Sequence, residues 1–319
     1  GGIVTPKIVN NEICIRPSFP DASISRRHQH AVILVYPFAH PAPGRLRARR
    51  QPPDRPWSTV DYSVGRTTAS RGDTVIVMPN HAETSTNTAG FWAFDVAGGT
   101  YIGIGSAKQR PRLLLDAGTS ATITVSAADI TLRNFEISSG TADCVRAINV
   151  TGAGFWADQL EFNDNTASEN FLIAVDFTST TDENANDLKV TNCRAVSFYV
   201  MTNFISIAAD VWRPIIADNL MVSESISVPI LFATGKDIKA GAVLRNYYSH
   251  KMTAGNLHIT NDTASPNNSG IIAHNRVGHA DVTGAHAMGA VGGCRFFDNL
   301  SVSTDALSGL LLPAADVDL

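Results

Sequence analysis

One short pattern recurs in PIIADNLMV (214–222), AVLRNYYSH (242–250) and IIAHNRVGH (271–279), where apolar residues flank an asparagine. Between residues 130 and 302 the polar residues at its centre follow one another at intervals of 25, 33, 27, 27, 29 and 24 residues. Self-similarity with a period of about 20 to 50 residues indicates a solenoid. The other copies of the pattern are ITLRNFEI (130–137), FWADQLEF (155–162), LKVTNCRA (188–195) and CRFFDNLSV (294–302).

Each copy has the composition of a β-strand region. Apolar and polar residues alternate, and the copies are separated by Gly, Asn, Asp, Ser and Thr rather than by helix-forming runs. A coil of about 25 residues holds two or three strands of about five residues. Stacked coils of this kind pair their strands in parallel around one apolar core. The sequence therefore predicts an all-β fold, a parallel β-helix.

The asparagines at the centre of the pattern have a predicted structural role. Asparagine adopts left-handed backbone conformations at turns, and stacked side-chain amides can hydrogen-bond from coil to coil. We therefore predict a structural ladder rather than a ligand site at these positions. Its predicted members are Asn134, Asn192, Asn219, Asn246, Asn275 and Asn299.

Composition argues against several classes of protein. The chain has 319 residues, of which 44% are hydrophobic, so one elongated domain can bury a large core. A net charge of −4 with 17% charged residues argues against a nucleic-acid partner. No apolar run approaches about 18 residues, the length of a membrane span, and the first residues lack the pattern of a secretory signal. The four cysteines have no CxxC spacing, so we predict free thiols and no structural zinc. We also predict no cofactor.

Residues 1–55 differ from the rest of the chain. No acidic residue lies between Asp21 and Asp54, whereas arginine and proline are frequent there. Because this composition opposes a packed core, we predict an extended basic arm that anchors a β-helix of residues 56–319. Such an arm is typically solvated or ordered by assembly, and contact with an acidic partner surface or nucleic acid is the alternative. The apolar run from Ala31 to Tyr36 is predicted to add one strand to a neighbour. The anchoring arginines are predicted to be Arg26, Arg27, Arg45, Arg47, Arg49 and Arg50.

A short helix is predicted where the arm ends. Ser58 or Thr59 can cap a helix that runs through Val60 and Val64. Such a helix would cover the open end of the first coil, because exposed end strands of a solenoid invite aggregation.

The segment PWSTVDYSVGRTTASRGDTVIVMPNHAET (56–84) resembles the entry of right-handed parallel β-helix proteins, in which a short helix leads to GDTV. Further segments, YIGIGSAKQRPRLLLDA (101–117), ATITVSAADITLRNFEIS (121–138), SGIIAHNRVGH (269–279) and LSGLLLPAADVD (307–318), are similar to bacteriophage virion proteins of the pectate-lyase-like and tailspike-like superfamily. The resemblance implies a non-enzymatic structural protein on the virion surface, assembled in the host cytoplasm as a capsid decoration protein, spike or tail fibre. It implies capsid or tail subunits and further copies of the chain as partners, with weak adhesion to a host-surface glycan.

Two other functions are compatible with this fold. A polysaccharide lyase or glycoside hydrolase needs clustered carboxylates and a nearby base. The candidates are Asp143 with Arg146, and Asp158 with Glu161. Solvated turn residues are the favoured interpretation, because no matching carboxylates recur one coil later. A bacterial surface adhesin is the third function, and it would need an export signal.

Two further groups of side chains have residue types that occur in binding sites. The densest group of possible metal ligands is His274, His279, Asp281 and His286, but its spacing fits no familiar ligand motif, so we predict no metal site. Aromatic residues also cluster near the repeats. We interpret them as core residues, with sugar stacking as the alternative. They are Phe155, Trp156, Trp212, Tyr247, Tyr248, Phe296 and Phe297.

Overall fold

The computed structural model contains strands in almost every described part of the chain. It describes residues 7–9, 12–14, 32–35, 57–85, 91–164, 169–181, 184–197, 201–223, 228–233, 236–250, 255–260, 268–279, 286–290 and 293–303. Its helical elements are α1 (Val60–Val64) and one turn of 3-10 helix (Ala107–Gln109). Among the described residues, no helix has the length and apolar character needed to cross a membrane.

The strands, in chain order, are β1 (Lys7–Val9), β2 (Glu12–Cys14), β3 (Val32–Val35), β4 (Thr74–Val77), β5 (Ala82–Ser85), β6 (Ala93–Phe94), β7 (Thr100–Gly103), β8 (Arg112–Leu115), β9 (Ile123–Val125), β10 (Thr131–Arg133), β11 (Glu136–Ser139), β12 (Cys144–Val150), β13 (Trp156–Asp158), β14 (Glu161–Asp164), β15 (Phe171–Phe177), β16 (Lys189–Thr191), β17 (Arg194–Val196), β18 (Asn203–Ile207), β19 (Val211–Trp212), β20 (Ile215–Ala217), β21 (Leu220–Val222), β22 (Ile230–Phe232), β23 (Ile238–Lys239), β24 (Gly241–Leu244), β25 (Tyr247–His250), β26 (Gly255–Thr260), β27 (Gly270–Ala273), β28 (Arg276–His279), β29 (His286–Ala290), β30 (Cys294–Phe297) and β31 (Leu300–Ser303).

Three parallel sheets form the walls of a solenoid. Sheet I holds ten strands in the order β3, β4, β7, β10, β13, β16, β20, β24, β27, β30. Sheet II holds nine, in the order β5, β8, β11, β14, β17, β21, β25, β28, β31, and sheet III holds eight, in the order β6, β9, β12, β15, β18, β22, β26, β29. Each coil passes through sheets I, II and III in turn, so every strand pairs with its equivalents in the neighbouring coils. The predicted all-β parallel β-helix is confirmed.

Two small strand pairs complete the topology. Strands β1 and β2 pair antiparallel, and β19 pairs in parallel with β23. Strand β3 pairs in parallel with β4 and forms one end of sheet I. It lies inside the run Ala31 to Tyr36, within residues 1–55, so part of the predicted arm joins the solenoid. The boundary at residue 55 stays a prediction, and the six arginines predicted to anchor the arm lie outside the described residues.

Helix α1 closes the start of the solenoid, as predicted. Thr59 is its N-cap residue, and the Thr59 hydroxyl accepts the backbone N–H of Tyr62 at 3.2 Å. This bond satisfies one of the N–H groups that have no partner within a helix. Val60 and Val64 are fully buried against the core of the first coils.

One buried carboxylate joins this helix to the first coil. Glu83 Oε1 accepts the backbone N–H of Val60 at 2.8 Å and lies 2.5 Å from His81 Nε2. Glu83 Oε2 accepts the indole N–H of Trp92 at 3.0 Å. All the side chains in this group are nearly inaccessible to solvent. The helix is therefore held by a specific polar contact as well as by apolar packing.

The core is a continuous stack of aliphatic and aromatic side chains. Phe155 and Tyr248 are buried in it, as predicted, but Trp156, Trp212 and Tyr247 are not. Together with Phe297, these three residues are 36–45% exposed on the outside of the solenoid. The core interpretation is wrong for them, because successive side chains of a strand point to opposite faces of its sheet.

Cysteines fill small gaps in this core. Cys144 and Cys193 are buried free thiols and Cys294 is a partly buried one, as predicted. Burial raises the pKa of the Cys193 thiol to about 12, so this thiol is neutral at physiological pH.

The corner between sheets I and II carries a row of residues in the left-handed backbone conformation. Their φ angles lie between 51° and 61°. The backbone N–H of Asn134 donates to the carbonyl of Asp158 in the next coil at 3.0 Å, and Gln159 donates to Thr191 at the same distance. These bonds link the turns of successive coils. We call this set the corner row: Asn134, Gln159, Asn192, Asp218, Arg245, His274 and Asp298.

Candidate functional site

Four buried asparagines form a hydrogen-bonded ladder along the solenoid. Asn246 Oδ1 accepts both the backbone N–H and the Nδ2–H of Asn219, at 3.0 and 2.9 Å. The second Nδ2–H of Asn219 donates to the carbonyl of Val190 at 2.8 Å. Asn275 and Asn299 repeat the arrangement in the next coils. In Asn219, Asn246 and Asn275 both Nδ2–H donors and the amide oxygen are therefore used within the protein, so these three side chains are structural rather than ligand-binding.

The other two predicted members, Asn134 and Asn192, do not belong to this ladder. They lie in the corner row, and the buried positions that follow them hold Phe135 and Cys193. Asn134 Nδ2 donates to the carbonyls of Gly103 and Gly105 at 2.7 and 2.9 Å. The sequence pattern does not separate the corner row from the ladder, because the two sets occupy successive positions of each coil and asparagine suits both. The first position favours its left-handed backbone, and the second favours its stacked amide.

Cys193 ends the ladder on its N-terminal side. Its backbone N–H donates to Asn219 Oδ1 at 2.9 Å, as the ladder asparagines do. The Cys193 Sγ atom lies 3.6 Å from the carbonyl oxygen of Ala157 and 3.3 Å from that of Thr191, and it accepts the backbone N–H of Leu160. The thiol thus occupies the place of an amide.

A first surface depression, the Glu161 cleft, lies beside the corner row and has a volume of about 420 Å³. The Glu161 carboxylate lies between two arginines. It accepts a hydrogen bond from the Arg110 guanidinium and another from Arg194 Nη1 at 3.0 Å. Arg110 Nε also donates to Asn134 Oδ1 at 2.9 Å. The residues lining the cleft are Arg110, Asn134, Gln159, Leu160, Glu161, Asn192 and Arg194.

Asp158 lies three residues earlier, on the outer face of sheet I, and is almost fully buried. Its Oδ1 accepts the Thr191 hydroxyl and the Asn192 amide, both at 2.9 Å. Its Oδ2 pairs with Arg133 Nε at 3.1 Å. A general base needs a lone pair that can reach a substrate proton. In Asp158 and Glu161 the carboxylate oxygens are engaged by neighbouring coils instead.

The candidate pair Asp143 and Arg146 is not brought together as a catalytic pair. Arg146 Nε pairs with Asp176 Oδ2 of the next coil at 3.3 Å. The backbone N–H of Asp143 donates to Asn170 Oδ1 at 3.1 Å. Arg146 lies on sheet III, whereas Asp158 and Glu161 flank the corner between sheets I and II. The four catalytic candidates therefore belong to two separate places on the solenoid.

The candidate metal ligands are also distributed over the fold. His274 is a corner-row residue, and its Nδ1 lies 3.7 Å from Asp298 Oδ2. His279 ends β28 in sheet II and His286 begins β29 in sheet III, while Asp281 lies outside the described residues. Within the part of the chain that the structure describes, no three His, Cys, Asp or Glu side chains are grouped so that they could hold a metal ion.

A second depression, the Tyr247 cleft, lies further along the same corner and has a volume of about 540 Å³. Arg245 makes a two-pronged ion pair with Asp218, with Nε and Nη2 each 2.7 Å from a carboxylate oxygen. The His274 ring stands edge-on to Phe297, with 5.5 Å between centroids. The cleft is lined by Arg245, Asn246, Tyr247, His274 and Arg276.

The sequence held a signal for this cleft. Tyr247 and Arg276 each follow a ladder asparagine directly, which places both at the start of a sheet II strand. They are aligned in neighbouring coils, and both are exposed on the outer face. Tyr247 was identified from the sequence, with sugar stacking as the alternative to a core position, whereas Arg276 was not. A pattern of ladder asparagine followed by an outward residue would have found both.

Comparisons with protein-family models, with curated proteins and with solved structures found no match to this chain. The fold is therefore established by its own strand pairing, and function has to be argued from the surface of the solenoid.

Proposed function

We propose that this chain is a non-enzymatic structural protein, a rigid β-solenoid displayed on the surface of a bacteriophage particle. One observation carries the non-enzymatic part of this proposal. The two carboxylates at the Glu161 cleft and directly beside it, Glu161 and Asp158, are held by arginines and amides of other coils, where they join coils rather than face a substrate.

The internal construction supports a mechanical role. The core is continuous, the sheets run the length of the described solenoid, and the asparagine ladder adds side-chain hydrogen bonds between coils. A protein in which each coil contacts its neighbours in this way resists local opening. Such a body suits a decoration protein, spike or tail fibre, which must persist outside a cell.

The virion assignment rests on the resemblance of residues 56–138 and 269–318 to phage β-helix proteins. In this proposal the basic residues 1–55 contact capsid or tail subunits. Further copies of the chain are additional partners, and the outer surface adheres weakly to a host glycan.

A polysaccharide-cleavage assay tests the non-enzymatic part. The purified protein is incubated with capsular polysaccharides of candidate hosts, and new reducing or unsaturated ends are measured. We expect no products from the wild type, from Asp158→Asn or from Glu161→Gln. Cleavage by the wild type that either substitution abolishes, with the fold retained, would overturn the proposal in favour of a lyase or hydrolase.

Labelling of particles tests the location. Antibodies raised against residues 57–303 are expected to decorate intact phage particles. They should fail on particles of a phage whose chain has glutamine at the six predicted anchoring arginines, a change that leaves β3 in place. The virion assignment would be contradicted if infected cells produce the full chain but the antibody never binds to the particles that they release.

A further inference from the structure

The Tyr247 cleft differs from the Glu161 cleft in the charge of its surroundings. The first residues of the sheet II strands form one outward row, in which Arg194 has Glu161 as its neighbour in the preceding coil. Arg276 occupies the same row, but its neighbours there are Tyr247 and Leu300. No carboxylate of the row is therefore adjacent to Arg276.

The guanidinium groups of this cleft keep hydrogen-bond donors. Two of the five N–H donors of a guanidinium are used by Arg245 to hold Asp218. Arg276 is exposed and enters none of the ion pairs between described side chains. Its planar group has the geometry to hold a carboxylate through two parallel N–H···O bonds.

Aromatic surface lies beside these cations. Tyr247 is 45% exposed in the position next to Arg276, and the paired rings of His274 and Phe297 extend the surface towards sheet I. An exposed aromatic face stabilises the apolar face of a ring-shaped ligand, while polar groups at its edge fix the orientation. The cleft thus suits a ligand that joins a ring with an apolar face to an anionic group.

We propose that the Tyr247 cleft binds an acidic oligosaccharide, with a uronate carboxylate on Arg276 and the sugar ring against Tyr247. This inference rests on the proposed function, because binding without cleavage is what a displayed adhesive surface requires. Charge complementarity selects an acidic glycan over a neutral one, since a neutral sugar would leave the exposed guanidinium of Arg276 without its counter-charge.

Calorimetric titration with two matched ligands tests the proposal. The probes are tetramannuronate and mannotetraose, which share their sugar backbone and differ in carboxylate against hydroxymethyl. We expect binding of tetramannuronate that weakens as sodium chloride rises, and at least about tenfold weaker binding of mannotetraose. Equal affinity for the two probes, or no binding of tetramannuronate at millimolar concentration, would overturn the inference.

Two substitutions locate the site. Arg276→Gln is expected to weaken tetramannuronate binding about tenfold or more, because a charge-assisted hydrogen bond is lost. Arg194→Gln is the matched control, since Arg194 is an exposed arginine of the same row that already has a carboxylate partner. Tyr247→Leu should also weaken binding while keeping the fold, because Leu220 and Leu300 hold equivalent positions in other coils. An equal loss in Arg194→Gln would show a general charge effect and contradict the assignment.

Product analysis of the same mixtures keeps the two proposals separate. New reducing or unsaturated ends from tetramannuronate would contradict the non-enzymatic function whatever the affinity. If tetramannuronate is neither bound nor cleaved, the glycan site alone would be contradicted. Sulfate binding as tightly as tetramannuronate would show a general anion site and also contradict the inference. If sedimentation without glycan shows dimers of the wild type that Arg276→Gln abolishes, the cleft would instead be assigned to contact with a second copy of the chain.

Discussion

The side-chain amide of Asn246 donates to Asn275 Oδ1 at 2.9 Å, and the same oxygen accepts the backbone N–H of Asn246 at 2.9 Å. One atom of one coil therefore holds both the backbone and the side chain of the coil before it. The remaining Nδ2–H of Asn246 donates to the carbonyl of Ile216, so the same side chain also bonds to the preceding coil.

Replacing this asparagine should destabilise the protein. Asn246→Ala removes both amide hydrogen bonds and leaves the buried backbone N–H of Asn219 without its acceptor. We expect the free energy of unfolding to fall by about 2–4 kcal/mol in urea titrations. Asn163→Ala, on the outer face of sheet II, is the control and should change it by less than about 0.5 kcal/mol. Equal losses in the two variants would show that the ladder has no special contribution.

The end of the ladder at Cys193 allows the opposite experiment. The backbone N–H of residue 193 donates to Asn219 Oδ1 whatever the side chain. In Cys193→Asn the new side-chain amide could donate to the same oxygen, and it would meet the carbonyl of Ala157 and the backbone N–H of Leu160, both of which the thiol contacts now. We expect Cys193→Asn to be at least as stable as the wild type and about 1 kcal/mol more stable than Cys193→Val, which cannot make these bonds. A chemical denaturation series of the three proteins measures this. A Cys193→Asn protein less stable than Cys193→Val would disprove the equivalence of thiol and amide.

Two carboxylates should respond oppositely to pH. Hydrogen bonds from Arg213 lower the pKa of Asp187, so the stability that Asp187 contributes is present above the ordinary carboxyl pKa and is lost as pH falls below it. Burial raises the pKa of Asp176, although Arg146 opposes the shift, so ionisation of Asp176 costs stability as pH rises through the ordinary value towards the raised one.

Substitution to asparagine separates these effects. As pH rises from about 3 to about 7, the free energy of unfolding of Asp187→Asn should fall relative to that of the wild type. Over the same interval that of Asp176→Asn should rise relative to the wild type. The Asp187 effect is expected to be small because its ion pair with Arg213 is exposed. Urea midpoints at several pH values measure both differences. The same pH trend in both variants would contradict the assignment of opposite pKa shifts.

The contact of Glu83 with α1 predicts a local effect. Glutamine at position 83 has one oxygen in place of two, so its NH2 group must face the N–H of Val60 or of Trp92. We expect Glu83→Gln to lower the free energy of unfolding by about 1–3 kcal/mol and to speed hydrogen exchange in residues 60–64. Glu136→Gln, on the outer face of sheet II, should leave both unchanged. Unchanged exchange in α1 of Glu83→Gln would show that apolar packing alone holds the helix.

The period of the repeats was sufficient to predict the coil and its parallel strands, and the cap residues Ser58 and Thr59 were sufficient to predict the helix. The period was insufficient to separate the corner row from the ladder. Asn192 is at the corner position of its coil and Asn219 is at the next position of the following coil, and both positions suit asparagine. The pairing of Arg146 with Asp176 could not be predicted, since it depends on how many residues each loop adds between coils. Tyr247 beside Tyr248 shows the remaining limit: one of each aromatic pair points inward, and only the strand register shows which one.

The ladder asparagines make the same contacts in successive coils, and this has an evolutionary consequence. Asn219 meets Asn246 through the same bonds by which Asn246 meets Asn275, so duplication or loss of one whole coil would rejoin equivalent partners on both sides. A lineage can thereby lengthen or shorten this protein by one repeat unit without redesigning its ladder, and its reach becomes a trait that recombination can tune in fixed increments.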